Sequence, residues 1–181
     1  MTGTAGGGRP KIDVVRATPD QRALIAGLFQ FYVYDFSEFQ PADSPDFELN
    51  AEGRYEPYPY LDQYWADEAC TPLLIKVGER VVGFALINAF AHSGGVVDHS
   101  MAEFFVLRKY RRGGVGAAVV GEILRRLPGR WEIAIAARNK PALAFWPRTV
   151  GALHYVRELT TLEMDGPLWR GPILRFVSTA E

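Results

Sequence analysis

The chain has 181 residues, of which 48% are hydrophobic and 23% charged, with a formal net charge of −1 and one cysteine. This length predicts one domain whose core needs no covalent cross-links. The near-neutral charge argues against a nucleic-acid partner or an acidic membrane surface. The single cysteine, Cys70, excludes an intrachain disulfide and a cysteine-rich metal site. No signal-peptide core or long apolar run is present, so we expect a cytoplasmic protein that binds no membrane.

The first third predicts a strand, a helix and a long irregular segment. Residues 1–10 are rich in glycine and are expected to form a flexible tail ahead of a domain over residues 11–181. Residues 12–17 have strand character, and Thr18 followed by Pro19 is typical of a helix start. Residues 35–60 carry four prolines and three tyrosines, which favours either a binding loop or an aromatic cover for the core.

The remaining elements alternate between strands and helices. Residues 71–77 and 81–89 predict a hairpin, and residues 104–107 predict a buried strand that leads into a helix from Val115 to about Leu127. Later candidates are strands at 131–136, 153–159 and 173–177, and a helix from Asn139 to about Val150. This order indicates an α/β or α+β domain around a largely antiparallel sheet.

The sequence between the central strand and its helix predicts an anion site. It carries four cations, Arg108, Lys109, Arg111 and Arg112, followed by glycines. Glycines let a ligand approach the backbone, and the free N–H groups of a helix start favour a polyanion such as a diphosphate. A tight connection without a ligand is the alternative. The Gly-Lys-Ser/Thr ending of a Walker loop and the third glycine of a dinucleotide fingerprint are missing.

The pattern Arg111-x-x-Gly114-x-Gly116 after an apolar strand resembles the acetyl-CoA signature of the GNAT superfamily of N-acetyltransferases. A second block, Asn139-x-x-Ala142-x-x-x-Trp146, resembles the helix start that follows the fifth strand in that family. The resemblance implies a mixed, mostly antiparallel sheet of six to seven strands flanked by about four helices. It further implies an enzyme that moves an acetyl group from acetyl-CoA to a primary amine by direct attack, without a metal. A small-molecule amine and a homodimer are family-level expectations.

The resemblance also assigns residues to acetyl-CoA. Backbone donors of the turn would hold the diphosphate, the strand edge would pair with the pantetheine arm, and Trp146 of the second block would shape the thiol pocket. The cofactor-binding set is Phe105, Val106, Leu107, Arg111, Arg112, Gly113, Gly114, Val115, Gly116, Ala117, Asn139 and Trp146.

A base is needed to deprotonate the ammonium, and Glu103 is the candidate. Period-two alternation places Glu103 on one sheet face with Phe105 and Leu107. A partly buried carboxylate there would have a raised pKa and accept a proton directly or through water. A polar strand-end role is the alternative for Glu103, and Asp98 and His99 are weaker candidates for the base.

Trp146 is the informative departure from the family pattern, which often has a tyrosine at this position as the acid for the leaving thiolate. An indole N–H cannot give up a proton near neutral pH. Water or another residue must then serve, and His154 and Tyr155 are better explained as sheet residues. The departure leaves a second hypothesis open, a non-catalytic CoA-binding or interaction module on the same fold.

Overall fold

The computed structural model describes residues 11–180 and contains one seven-stranded sheet with four helices. The expected tail over residues 1–10 lies outside the described residues. The strands are β1 Ile12–Arg16, β2 Thr71–Val77, β3 Arg80–Asn88, β4 His99–Val106, β5 Gly129–Ala134, β6 Val156–Asp165 and β7 Arg170–Ser178. The helices are α1 Arg22–Ser37, α2 Gln63–Ala66, α3 Val115–Arg126 and α4 Lys140–Gly151.

The sheet has the order β1-β2-β3-β4-β5-β7-β6, and its pairs are antiparallel except for β4 with β5. The predicted fold class, a mixed and mostly antiparallel sheet of six to seven strands with about four helices, is confirmed. A parallel pair needs a crossover connection, and α3 supplies it between β4 and β5.

Each face of the sheet has its own hydrophobic cluster. One face packs against α3 and α4, with Val120, Leu124 and Trp131 almost completely buried. The other face packs against α1 and the segment that contains α2, around Ile25 and Phe84. Side chains that alternate along β4 therefore reach either the α3–α4 face or the α1 face.

The close approach of β4 leaves no room for a side chain at Gly83 in β3. A Cβ at this position would lie 2.0 Å from the carbonyl oxygen of Phe105. No side chain fits at that distance, so glycine is required for β3 and β4 to pair in this register.

The prediction for the sixth strand was wrong in its limits. We predicted residues 153–159, whereas β6 begins at Val156 and runs to Asp165. His154 and Tyr155 precede the strand instead of lying in it. The extension was missed because β6 is an edge strand whose side chains are mostly exposed, so its polar sequence lacks the alternation of a half-buried strand.

Candidate functional site

The two parallel strands at the centre of the sheet separate after two residue pairs. β4 and β5 pair only at His99 with Trp131 and at Ser100 with Glu132. The β3–β4 register shifts at the next step, from Met101 opposite Ile87 to Glu103 opposite Leu86, which leaves Ala102 as an extra residue. Such a bulge bends its strand. The rest of β4 therefore has a free edge facing β5.

Only alternate backbone groups of β4 point into this gap. The N–H of Leu107 donates to the carbonyl of Val82 at 2.8 Å, so it faces β3 and is not available to a ligand. By antiparallel alternation, the N–H of Phe105 also faces β3, whereas those of Phe104 and Val106 face the gap. Of the three edge residues expected to meet pantetheine, Val106 alone presents its N–H to the opening.

The glycine turn presents a run of unpaired donors. None of the backbone N–H groups of residues 112–117 donates to an acceptor within residues 11–180. Gly114 is the N-cap of α3 with φ of +83°, and a Cβ there would meet open space. A left-handed φ of this kind favours glycine. The turn therefore has the backbone geometry that an anion site requires, with α3 starting directly behind it.

Gly116 serves a different purpose from Gly114. A Cβ at Gly116 would lie 3.3 Å from the ring of Phe145 in α4. The missing side chain lets α3 and α4 approach each other beside the gap between β4 and β5.

Two of the four predicted cations are already paired. Asp35, in the last turn of α1, accepts from Nε of Arg108 at 2.7 Å and from the guanidinium of Arg111. Arg111 also donates through Nε to the carbonyl oxygen of Val106 at 2.6 Å, and its guanidinium lies 5.4 Å above the ring of Phe105. Arg111 therefore links α1 to the end of β4, and part of its charge is cancelled before any ligand arrives.

The second sequence block forms the start and middle of α4. Oδ1 of Asn139 accepts from the N–H of Ala142 at 3.0 Å, which caps the helix as its sequence indicates. Trp146 is 7% exposed and meets Phe104 edge-on with ring centroids 5.2 Å apart. Both Asn139 and Trp146 line the same cleft as the glycine turn.

Glu103 lies in the cleft on the α1 side of β4. Burial raises the pKa of Glu103 to about 7, although hydrogen bonds from Tyr32 and Tyr58 pull this pKa downward. A carboxyl group with a pKa near neutrality is half ionised at physiological pH and can accept a proton. Its geometry and its pKa both suit a general base.

The two weaker candidates for the base lie elsewhere. Asp98 pairs with Arg130 at 3.0 Å, and the hydrogen bonds from Arg130 hold the pKa of Asp98 down at about 2. His99 packs against Trp131 with ring centroids 4.9 Å apart, and burial lowers its pKa. Neither residue lines the cleft that holds Glu103.

Tyr155, considered as an acid, is also placed away from the cleft. Its hydroxyl donates to the carbonyl of Gly121 at 2.6 Å, and its side chain is 7% exposed. This contact ties the segment before β6 to α3.

Sequence reasoning missed the polar neighbours of Glu103. Tyr32 comes from α1, Tyr58 from the proline-rich loop, and Tyr64 from α2. The network continues from Tyr58 to Tyr64, whose hydroxyl accepts from Nδ2 of Asn88 at 3.2 Å. The tyrosines of the loop were recognised as an aromatic surface, but nothing in the sequence shows which of them meets Glu103.

One continuous cleft of about 2090 Å³ joins the glycine turn to Glu103. We call the part near α3 and α4 the turn half, lined by Arg111, Arg112, Gly114 and Gly116, Asn139 and Trp146. We call the rest the loop half, and Glu103 lies in it with the side chains of α1 and residues 45–60. Two reactants bound in the two halves would meet along the free edge of β4.

Comparison with protein families identifies the chain. Residues 34–152 match the model of the acetyltransferase (GNAT) family, and the chain belongs to this family. Comparison with curated protein sequences gives no match.

Solved structures share the fold at low sequence identity. An acetyltransferase from Thermus thermophilus is 13% identical, with a TM-score of 0.61, over 93% of this chain and 97% of the other. PaiA N-acetyltransferase from Thermoplasma acidophilum, solved in complex with coenzyme A, is 8% identical over 93% and 99%, with a TM-score of 0.58. Spermidine N-acetyltransferase from Vibrio cholerae, solved with CoA and spermine, is 12% identical over 92% and 94%, with a TM-score of 0.54.

Two further findings concern the described residues alone. Within residues 11–180, no helix has the length and apolar character needed to cross a membrane. The same part of the chain contains no group of three or more His, Cys, Asp or Glu side chains placed to hold a metal ion.

Proposed function

We propose that the protein is an N-acetyltransferase that transfers the acetyl group of acetyl-CoA to a primary amine by direct attack. One observation carries this proposal: a single cleft connects six unpaired backbone donors at the glycine turn, the free edge of β4 and the carboxyl group of Glu103. Binding both reactants in one cleft supplies the proximity that a two-substrate reaction needs.

The residues of the turn fit a diphosphate. Six N–H groups from Arg112 to Ala117 have no protein acceptor within the described chain, and they precede or begin α3, where the helix dipole favours an anion. Because Asp35 holds Arg108 and Arg111, we assign the contact with the diphosphate mainly to backbone donors and to Arg112.

The free edge of β4 fits the pantetheine arm. An extended chain with amide groups can add to an open strand edge, and Val106 presents the N–H for it. A backbone N–H at this edge also suits the oxyanion that develops on the thioester carbonyl during attack. The loss of one such donor generally costs about 2.7–4 kcal/mol of transition-state stabilisation.

Glu103 then acts as the base. The amine is mostly protonated near neutral pH, so it must lose a proton before its nitrogen can form the new C–N bond. The carboxylate of Glu103 accepts this proton, directly or through water. The bonded nitrogen loses its second proton to water as the amide forms, the C–S bond breaks, and the sulfur leaves as a thiolate.

Trp146 cannot protonate that thiolate, because its indole N–H is not acidic near neutral pH. Water is the proton source in this proposal. Trp146 still shapes the gap, since it packs on Phe104 at the free edge of β4. Its presence favours one alternative, a protein on this fold that binds CoA without turnover.

The decisive experiment measures free thiol release from acetyl-CoA with a panel of primary amines, together with CoA affinity by calorimetry. The proposal predicts amine-dependent thiol release that Glu103→Gln lowers without weakening CoA binding. Tight CoA binding with no turnover on any amine would instead establish the non-catalytic alternative.

A further inference from the structure

The loop half of the cleft exposes large apolar side chains to water. Phe47 is 37% exposed, Leu49 55%, Tyr60 56% and Phe90 53%, and all four line the cleft. Scattered apolar side chains on a convex surface need no explanation, but several that converge on one concavity mark a ligand site.

A row of three rings forms another wall of this half. Phe90 and His92 come from the connection between β3 and β4, and Trp169 comes from the connection between β6 and β7. The ring centroids of Phe90 and His92 are 4.9 Å apart, and those of His92 and Trp169 are 4.8 Å apart. Burial lowers the pKa of His92, which favours its uncharged form, although the charge of Glu132 opposes this shift. The wall is therefore aromatic.

Charge is divided between the two halves of the cleft. The cationic lining residues are all in the glycine turn or in α4, namely Arg108, Arg111, Arg112 and Arg148. Of these, Arg108 borders the loop half, where it pairs with Asp35 and lies 3.8 Å from Glu38. Apart from Asp35, which the arginines of the turn hold, the acids of the loop half are Glu103 inside and four exposed residues, Glu38, Asp46, Glu48 and Glu56. The acids at the surface of the loop half attract a cation. Its ring-lined interior, however, offers only the carboxylate of Glu103 to pair with a positive charge.

We propose that the acceptor is a primary monoamine attached to an apolar body about the size of an aromatic ring. This proposal rests on the proposed acetyl transfer. The ring of the acceptor packs against the row formed by Phe90, His92 and Trp169, and its nitrogen reaches Glu103. A ligand ring placed among these side chains is stabilised by burial and by edge-to-face contact.

A polyamine fits this half less well. Its second ammonium group would lie among the rings without a carboxylate to pair with it, and a desolvated, unpaired charge is costly. The exposed acids do not offset this cost, because water and salt screen their charge.

The chemistry at the nitrogen is the transfer already described. The ammonium proton passes to Glu103, and the nitrogen lone pair forms a bond to the thioester carbon. The bonded nitrogen then loses a second proton to water, and the C–S bond breaks to leave a thiolate. The product is an uncharged amide, which forms no ion pair with Glu103 and is therefore released more easily.

The test compares three amines with matched chain length near the nitrogen: 2-phenylethylamine, butylamine and 1,4-diaminobutane. We expect kcat/KM for 2-phenylethylamine to exceed that for butylamine by about ten-fold or more, because one ring leaves water. We expect 1,4-diaminobutane to be the poorest acceptor. Calorimetry measures the affinity of each amine for the CoA-saturated protein, independently of turnover. We expect the three affinities to follow the same order as kcat/KM.

The chain provides matched control variants. Phe90→Ala should remove about ten-fold in kcat/KM for 2-phenylethylamine and leave butylamine within about two-fold. Phe31→Ala should leave kcat/KM unchanged for both amines, since Phe31 is 57% exposed but lies outside this cleft. Tyr60→Ala and Tyr34→Ala form a second pair at 56% and 60% exposure.

Three results would overturn the inference: equal preference for the first two amines, a preference for the diamine, or equal effects of Phe90→Ala and Phe31→Ala. Failure of the proposed function looks different. In that case thiol release is absent with every amine, while the calorimetric order of the three amines still decides the inference.

Discussion

The two halves of the cleft are built from different parts of the chain. The turn half is made mostly of backbone: a left-handed glycine, Gly114, and a run of N–H groups at the start of α3. The loop half is made of side chains that come from α1, from residues 45–60 and from the connections after β3 and β6. A backbone site needs particular spacing of glycines within a few residues, whereas a side-chain site is assembled from distant segments. In the proposed function, the turn half therefore binds the co-substrate, and the loop half selects the acceptor.

The largest expected effect comes from the reacting carboxyl group in the loop half. Glu103→Gln removes the base but keeps its size, and we expect kcat/KM to fall by about 100-fold at pH 8. In the wild type, kcat/KM should rise with pH through about 7, because the carboxylate form accepts the proton and burial sets the pKa of Glu103 there. Glu56→Gln, at an exposed acid of the same half, is the control and should change kcat/KM by less than about two-fold. A pH–rate profile of Glu103→Gln that keeps the inflection near 7 would remove Glu103 from the mechanism.

The same substitution should stabilise the fold. Burial raises the pKa of Glu103 from the ordinary 4.5 to about 7, so the folded state holds the proton more tightly than the unfolded chain does. The stability that this proton provides is complete below pH 4.5 and is lost as pH rises through 7, by at most about 3 kcal/mol. Glu103→Gln avoids this loss, so its melting temperature relative to the wild type should rise between pH 4.5 and 8. A difference that stays constant with pH would show that Glu103 titrates normally.

The corresponding test of the turn half is Gly114→Val. A β-branched residue at φ of +83° is strained, and its side chain would occupy the space in front of the N–H groups. We expect CoA affinity, measured by calorimetry, to fall by about 30-fold or more, because strain of this kind costs about 1–3 kcal/mol and the donors are obstructed. Gly78→Val is the control, since Gly78 also has a left-handed φ of +59° but lies in the hairpin between β2 and β3. If both variants bind CoA like the wild type, the turn is only a connection.

The two halves meet at Asp35. Its substitution separates the effect of net charge beside the turn from the effect of the position of Arg111. Asp35→Asn releases Arg108 and Arg111 from the carboxylate and adds positive charge beside the turn. We nevertheless expect CoA affinity to fall by about three-fold to ten-fold, because Arg111 then loses the partner that holds it against the carbonyl of Val106. Asp98→Asn, which breaks the remote pair with Arg130, should leave CoA affinity unchanged. A gain in affinity for Asp35→Asn would show that net charge outweighs the position of Arg111.

The contrast between a backbone site and a side-chain site also explains which parts of the cleft could be predicted from the sequence. The strand–turn–helix unit and the α4 cap follow local rules, so the positions of Gly114, Val115 and Asn139 were predictable from the sequence. The alternation of β4 also placed Glu103 on the face it occupies, with Phe105.

The rest depends on contacts between distant segments. The bulge at Ala102 and the pairing of β3 with Leu107 decide which N–H groups face the gap, and neither has a local signal. The capture of Arg111 by Asp35 joins residues 76 positions apart. The sequence could therefore predict four cations beside the turn, but not that Asp35 pairs with two of them and cancels part of their charge.

In the proposed function, the backbone donors of the turn bind the diphosphate of the co-substrate. Amide hydrogen exchange of residues 112–117 tests it most directly, in the free protein, with CoA, and with pantetheine, which lacks the diphosphate. We expect strong protection of these amides by CoA and little protection by pantetheine. Equal protection by both compounds, or protection by CoA confined to other segments, would contradict it.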